Sequence, residues 1–278
     1  MTAQQTVHIR EYLRPKKRFP SVWCPGCGIG VALGALLRAI SSLGISKDDI
    51  ALVSGIGCTG RMPVYADFGG LHTTHGRALA FATGLKLARP ELKVITIMGD
   101  GDALAIGGNH FIHAARRNID LTAIVVNNSI YGLTGGQYSP TTPFGAITET
   151  STYGHVEQPF DTVKLAQAAG APFVARGTVF HVVELVKLLG QALKKKGFSV
   201  VEVISNCHVH YGKLNQMGQA SEMLRWQRDN TIAVSQVKGD DARGKIVRGV
   251  LVDRELPEYL EAYQSLVARV QGREDGRG

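Results

Sequence analysis

Lys93-Val94-Ile95-Thr96-Ile97-Met98-Gly99-Asp100-Gly101-Asp102 is the stretch on which the fold turns, and Leu121-Thr122-Ala123-Ile124-Val125-Val126-Asn127-Asn128 is its counterpart. Each is a mainly apolar run of strand length without polar alternation, as expected of a strand covered on both faces of a parallel sheet. One run ends in glycines and acids, the other in two asparagines. A carboxylate from Asp100, the amide oxygen of Asn128 and the backbone carbonyl of Ile130 are hard oxygen ligands. Mg²⁺ takes such ligands while keeping phosphate oxygens in its shell. Gly99 and Gly101 would let backbone amides approach that anion with no Cβ in the way. Gly-Asp-Gly alone is ordinary turn chemistry. The second element at this spacing, with a helix expected over 104–117 between them, points to a magnesium-held diphosphate.

Outward from this pair, helical and strand patterns take turns. Helices are expected over 30–42, 77–88, 104–117, 162–169 and 182–195, and strands over 51–53, 93–98, 121–126, 173–175 and 198–204. The alternation predicts an α/β fold with a doubly wound, mainly parallel sheet. Ligands of such sheets bind beyond the carboxyl ends of the strands, where Cys58, Asp100, Asn128 and Cys207 all fall.

Three segments follow from the composition along the chain. Residues 1–20 form a basic arm with Arg10, Arg14, Lys16, Lys17 and Arg18; residues 21–215 form the main domain; residues 216–278 form a C-terminal tail. The tail holds a strand-like 246–252 and apolar positions at helical spacing: Leu256, Tyr259, Leu260, Tyr263, Leu266, Val267 and Val270. That face should bury against the domain's own body or against a partner subunit. Residues 137–160, rich in Thr, Pro and Gly without a period, suit a lid or an interface arm.

The cysteines are an independent signal. Cys24-Pro25-Gly26-Cys27 is a tight CxxC loop, Cys58 follows the strand over 51–53, and Cys207 follows the strand over 198–204. Four thiolates suit a [4Fe-4S] cluster or a structural zinc, and the paired CxxC units of a zinc ribbon are absent. With no secretion signal, disulfides are disfavoured and a cytoplasmic location is expected.

The 278 residues are 44% hydrophobic and 19% charged, an ordinary globular composition. The first apolar stretch, 29–40, contains Arg38 and is shorter than the roughly 20 residues a membrane span needs. A net charge of +8 raises nucleic acid as a partner. No recognition helix, zinc finger or aromatic-basic stripe accompanies it, so attraction of acidic partners or a subunit-binding arm is preferred.

Residues 99–110 together with 127–137 resemble the thiamine diphosphate signature, in the form found in β subunits of 2-oxoacid:ferredoxin oxidoreductases. The similarity runs from about Trp23 to about Gly212. It implies that thiamine diphosphate contacts Ile56, Gly57, Cys58, Thr59, His75, Gly99, Gly101, Asp102, Gly132 and Leu133, with Mg²⁺ on Asp100, Asn128 and Ile130. It also decides for one [4Fe-4S] cluster on Cys24, Cys27, Cys58 and Cys207. His110 and His113, three apart with no third ligand, are read as packing or surface residues. His208 and His210, beside Cys207, could tune the cluster by hydrogen bonds.

The implied reaction is oxidative decarboxylation of a 2-oxoacid, with coenzyme A taking the acyl group and ferredoxin the electrons. The glutamate that activates thiamine diphosphate should lie on a separate α subunit, so no catalytic residue is expected in this chain, and a dimer of αβ heterodimers is expected. Residues 57–63 resemble the 2-oxoglutarate type, in which Arg61 could pair with the distal carboxylate and the product would be succinyl-CoA. A pyruvate-type enzyme, a non-oxidative thiamine-dependent decarboxylase or carboligase, and a binding module without the cofactor remain as alternatives.

Overall fold

The computed structural model describes residues 9–16 and 19–272, so Lys17, Arg18 and residues 1–8 of the basic arm lie outside the described residues. Eight strands form one sheet in the order β2-β1-β3-β4-β6-β5-β8-β7. These are β1 (Ile50–Ser54), β2 (Gly69–His72), β3 (Lys93–Gly99), β4 (Thr122–Asn127), β5 (Phe173–Thr178), β6 (Ser199–Ile204), β7 (Thr231–Ala233) and β8 (Ile246–Asp253). All pairings are parallel except β5 with β8. The sheet is α/β and mainly parallel, as the alternation predicts.

Apolar residues fill both faces of each central strand because helices cover both. On one side α1 (Ile29–Leu43) and α7 (Val182–Lys194) bury Leu36, Ile40, Leu185 and Leu189 against Leu52, Ile95, Ile97, Ile124 and Val201. On the other, α3 (Ala78–Ala88), α5 (Gly108–Arg117) and α6 (Thr162–Ala168) bury Leu79, Phe111, Ala115 and Val163 against Val53, Val94, Ala123, Val125 and Val200. Burying a side chain of this size stabilises the fold by about 1.5–3 kcal/mol each. In register, Ile97 pairs with Ile124 and Gly99 with Val126, so the ends of β3 and β4 lie side by side.

Several elements depart from expectation. The helix expected over 104–117 is two helices, α4 (Asp100–Leu104) and α5, because the chain leaves helical geometry at Ala105. Gly107 then passes so close to the preceding turn that a Cβ on it would lie 2.3 Å from the Asp102 carbonyl. A four-residue helix, α2 (Met62–Tyr65), follows Cys58, and β2 adds an exposed edge strand made of Gly-Gly-Leu-His, a sequence without strand-forming side chains.

The segment read as a C-terminal tail completes the sheet. Its β8 pairs antiparallel with β5, through a register shift at Val174/Ala175, and β7 pairs with β8. Between them and β6 lies α8 (Ala220–Asp229), whose start is closed by a reciprocal cap between Gln219 and Glu222. The final helix, α9 (Tyr259–Val270), is held at its start. Glu258 accepts from the amides of Asp120 and Glu261, and Asn118 donates to the carbonyls of Leu256 and Pro257. Only Leu260 is buried along its apolar face, while Tyr263, Leu266, Val267 and Val270 stay exposed. The expected burial against the domain's own body is therefore confined to the first turn. No helix among the described residues is long and apolar enough to cross a membrane.

Candidate active site

At the carboxyl edge of the sheet lies a cavity of about 340 Å³. Ile56, Gly57, Cys58 and Thr59 reach it from the end of β1, His75 from the loop after β2, and Gly99, Asp100, Gly101 and Asp102 from the end of β3. Asn128, Ile130, Gly132 and Leu133 reach it from the loop after β4. The structure thus brings together around one space every residue that the sequence assigned to the cofactor or to magnesium.

Asp100 is 2% exposed, and its Oδ2 accepts from the hydroxyls of Ser139 and Thr141 at 2.6 Å each. Burial pushes its carboxyl up, with the hydroxyl and backbone donors pulling the other way. Among the described residues no Lys, Arg or His forms an ion pair with it. A buried carboxylate without a counter-charge is costly, and a cation relieves it.

The two asparagines divide their work. Asn127 is structural: its Nδ2 donates to Glu202 at 2.8 Å, and its Oδ1 accepts the Ser129 amide at 3.1 Å. Ser129 takes a left-handed φ of 62°, which turns the chain between Asn128 and Ile130. Asn128 Oδ1, by contrast, is buried with no hydrogen-bond partner. An orphaned amide oxygen lining the same cavity as an uncompensated carboxylate fits a hard divalent cation.

The acidic residue two positions on behaves differently. Asp102 Oδ1 accepts from the amides of Ile56 and Gly76 and lies 2.8 Å from His75 Nδ1, so it clasps the loops after β1 and β2. Burial holds its carboxyl above the usual range against those donors. Its Oδ2 has no partner and faces Gly55, where a Cβ would lie 1.8 Å away. Engaging His75 through Nδ1 leaves Nε2 as the ring atom available to the cavity.

The glycine of the turn also has an unforeseen role. A Cβ on Gly101 would stand 2.3 Å from the Tyr131 ring, whose hydroxyl donates to the Gly101 carbonyl at 2.9 Å. The close approach that requires glycine here is that of an aromatic ring, where the sequence suggested an anion. Burial, then the charges of Asp100 and Asp102, push the Tyr131 phenol up to about 12.

Beside this cavity the four thiols converge. The Cys27 amide donates to the Cys24 carbonyl at 3.0 Å, closing the CxxC turn, and the Trp23 indole donates to the Cys58 carbonyl at 2.8 Å. Gly132, on the cavity wall, would carry a Cβ 3.6 Å from Cys207 Sγ and 3.8 Å from Cys58 Sγ. Burial, followed by the neighbouring Cys207, Cys58 and Cys24, pushes the Cys27 thiol up to about 12, against a backbone donor at Ile29. Burial likewise raises Cys58 and Cys207. Cys24 is the exposed member. Among the described residues, no three Cys, His, Asp or Glu side chains are grouped so as to hold a single metal ion.

Arg61 stands outside the cavity. It is exposed at the start of α2, and its charge acts on Cys58, lowering that thiol against burial. Arg77 meets His110 Nε2 at 2.6 Å, which accounts for that histidine by packing.

Ser139, Thr141, Tyr131 and Trp23 were not singled out from sequence. The run Ser139-Pro140-Thr141-Thr142-Pro143 is the only hint, a set of hydroxyls in the loop that passes under Asp100. A larger cavity, about 660 Å³, adjoins through Asn127 and Asn128. It holds the Asp161–Arg176–Glu202 chain, in which one guanidinium pairs with both carboxylates. The smaller cavity is the candidate active site because Asp100, the buried carboxylate without an ion-pair partner among the described residues, lines it and not the larger one.

Comparison with known proteins agrees with this geometry. Residues 55–203 match the family described as thiamine pyrophosphate enzyme, C-terminal TPP binding domain. The chain is 46% identical to the 2-oxoglutarate synthase subunit KorB of Methanocaldococcus jannaschii, over 94% of this chain and 97% of that one. It is 50% identical to the KorB of Archaeoglobus fulgidus, over 92% and 93%. A solved structure, 2-oxoglutarate:ferredoxin oxidoreductase from Magnetococcus marinus with 2-oxoglutarate, coenzyme A and succinyl-CoA bound, superposes with a TM-score of 0.85. It is 32% identical and covers 99% of this chain and 94% of that one. The chain belongs to the KorB family of 2-oxoacid:ferredoxin oxidoreductase β subunits.

Proposed function

We propose that this chain is the thiamine-diphosphate-binding β subunit of a coenzyme-A-dependent 2-oxoglutarate:ferredoxin oxidoreductase, active with an α subunit in a dimer of αβ heterodimers. The observation that carries the reading is the orphaned Asn128 Oδ1 on the same cavity as the uncompensated, buried Asp100. Asp100, Asn128 and the Ile130 carbonyl would hold Mg²⁺, and Mg²⁺ the diphosphate. Bound thiamine diphosphate supplies the nucleophile and electron sink for loss of CO₂ from a 2-oxoacid. The four cysteines would hold a [4Fe-4S] cluster, which would supply one-electron transfer toward ferredoxin.

The chain's own residues set the conditions for that chemistry. Asp102 fixes the His75 ring through Nδ1, so Nε2 can meet the cofactor. Cys58 lines the cavity, and Gly132 on the cavity wall stands against Cys58 and Cys207, so the path for electrons between cavity and thiols would be short. Leu133 and Ile56, 45% and 37% exposed, form an apolar rim that the α subunit would cover to exclude water. Four free thiols suit a reducing compartment, and the cytoplasm is the proposed location.

The test is an anaerobic assay of the chain co-produced with its α subunit, following coenzyme-A-dependent viologen reduction. Faster turnover of 2-oxoglutarate than of pyruvate is expected. Faster turnover of pyruvate would overturn the substrate. An iron-free, colourless preparation with full activity would overturn the redox assignment.

A further inference from the structure

Asp100 has two carboxylate oxygens, and its neighbours make them unequal. Ser139 and Thr141 both donate a hydroxyl proton to the same oxygen, Oδ2, at 2.6 Å each. That length is typical of a hydroxyl bonded to an ionised carboxylate. The Thr141 proton has a second acceptor within reach, Asn127 Oδ1 at 3.0 Å, but that oxygen already takes the Ser129 amide, and Asp100 is both nearer and charged. A carboxylate oxygen offers about two lone-pair sites, so Oδ2 is filled. Oδ1 receives neither hydroxyl, and Asp100 lines the cavity.

The two donors are not free to follow a turning carboxylate. Both are buried, and Pro140 and Pro143 fix the backbone φ in the same short segment. The Ser139 amide donates to Thr142 Oγ1 at 2.8 Å, the Thr142 amide donates back to the Ser139 carbonyl at 3.0 Å, and the Phe160 amide holds the Pro140 carbonyl at 2.7 Å. Thr142 spends its own proton elsewhere, on the Ser129 carbonyl at 2.7 Å. Swinging Oδ2 toward the cavity would strip two buried hydroxyls of their charged acceptor, which is costly.

We infer that Ser139 and Thr141 are specificity-determining residues for the cation: by occupying Oδ2 they hold Asp100 to coordination through Oδ1 alone, which selects Mg²⁺ over Ca²⁺. The inference rests on Asp100 being an ion ligand and adds how the site discriminates. Ca²⁺ takes about six to eight oxygens and gains from carboxylates that chelate through both. Mg²⁺ keeps a small octahedral shell, for which one carboxylate oxygen, the Asn128 amide oxygen, a backbone carbonyl and phosphate oxygens suffice. Asp102 does not supply the oxygen that Ca²⁺ would lack. Its Oδ1 is committed to Ile56, Gly76 and His75, and its Oδ2 faces Gly55, which is not on the cavity wall.

The experiment uses the chain co-produced with its α subunit and stripped of divalent ions by a chelator. Thiamine diphosphate binding is followed by equilibrium dialysis as Mg²⁺ or Ca²⁺ is added, which gives the half-saturating concentration of each ion. Wild type should need less Mg²⁺ than Ca²⁺. Ser139→Ala combined with Thr141→Val should shift the ratio of the two concentrations toward Ca²⁺ by about tenfold or more, because Oδ2 is released to chelate. A purely structural role would weaken both ions alike and leave the ratio unmoved. Thr141→Ser keeps the hydroxyl and should keep the wild-type ratio. Thr142→Val removes a hydroxyl that bonds the Ser129 carbonyl and should keep the ratio too. If the double variant does not fold, Thr141→Val alone, a change of shape-matched side chains, should shift the ratio in the same direction. An unchanged ratio in the variants that lack the Thr141 hydroxyl, an equal shift in Thr142→Val, or a wild type indifferent between the two ions would overturn the inference. Failure of the functional reading is a different result: thiamine diphosphate binding that needs no divalent ion, or that keeps its ion dependence in Asp100→Ala.

Discussion

Tyr131 donates its hydroxyl to the carbonyl of Gly101 at 2.9 Å, tying the loop after the paired asparagines to the turn that presents Asp100. The ring lies so close that any side chain at position 101 must displace it. Gly101→Ala is expected to destabilise the protein by about 1–3 kcal/mol through overpacking and to weaken thiamine diphosphate binding, because Tyr131 and Gly101 both line the cavity. Tyr131→Phe removes one hydrogen bond and keeps the ring, with an expected cost of about 1 kcal/mol. Calorimetric thiamine diphosphate titration and urea unfolding of both variants check this. A milder effect from Gly101→Ala than from Tyr131→Phe would contradict the packing argument.

Neighbouring asparagines should respond in opposite ways. Asn127 bonds Glu202 and the Ser129 amide, so Asn127→Ala should cost about 1.5–3 kcal/mol of stability by breaking a bond to a charged group. Asn128 presents a buried oxygen with no partner, so Asn128→Ala should leave the melting temperature of the cofactor-free chain nearly unchanged. The same variant should lose magnesium-dependent retention of thiamine diphosphate. Melting curves with and without cofactor separate the two. An Asn128→Ala protein that still holds the cofactor through magnesium would remove the proposed ligand.

Exposure should order the chemistry of the thiols. In cluster-free protein at pH 8, iodoacetamide should modify Cys24 first and Cys27 last. Cys24 is exposed, whereas burial keeps Cys27 protonated with a pKa of about 12. Cluster assembly must then release protons, so loading with iron and sulfide should be faster at higher pH. Mass spectrometry of tryptic peptides reads the order directly. Cys27 alkylated as fast as Cys24 would mean that the CxxC loop opens in the absence of the cluster.

Where periodicity and strand-end chemistry carried information, the sequence was legible. The runs over 93–98 and 121–126 are continuous because both faces of β3 and β4 are buried, and the residues after them necessarily share one edge. The break between α4 and α5 was hidden because its cause is a backbone approach, Gly107 against the Asp102 carbonyl, with no polar or apolar pattern to report it. β2 was hidden because its pairing with β1 is backbone-driven and its side chains are exposed. Ser139 and Thr141 reach Asp100 from an aperiodic loop, a contact made across 39 and 41 residues that no local rule anticipates. The tail was separable by composition, yet β8 joins the sheet between β5 and β7, and its mostly half-buried side chains gave no continuous apolar run to mark it as part of the domain.

The buried pair of Lys86 and Asp120 gives the fold a pH dependence with a definite sign. Lys86 Nζ lies 2.8 Å from Asp120 Oδ2, with side chains 4% and 9% exposed, and Asp120 Oδ1 accepts the Gly197 amide. Burial alone would raise the Asp120 carboxyl, but the charges of Lys93 and Lys86 outweigh it and hold it below the usual carboxylate range. A carboxyl with a depressed folded-state pKa stabilises the fold fully above its unfolded pKa, and that stability is lost as pH falls through the folded value. Asp120→Asn should therefore destabilise by about 3–5 kcal/mol at neutral pH, because Lys86 remains buried without its carboxylate. Below the usual aspartate range the wild-type protein loses the same interaction, so the two stability curves should converge there. Urea unfolding at a series of pH values between neutrality and the acid limit measures the gap. A gap that stays constant across that range would show that Asp120 acts through its hydrogen bond to Gly197 alone.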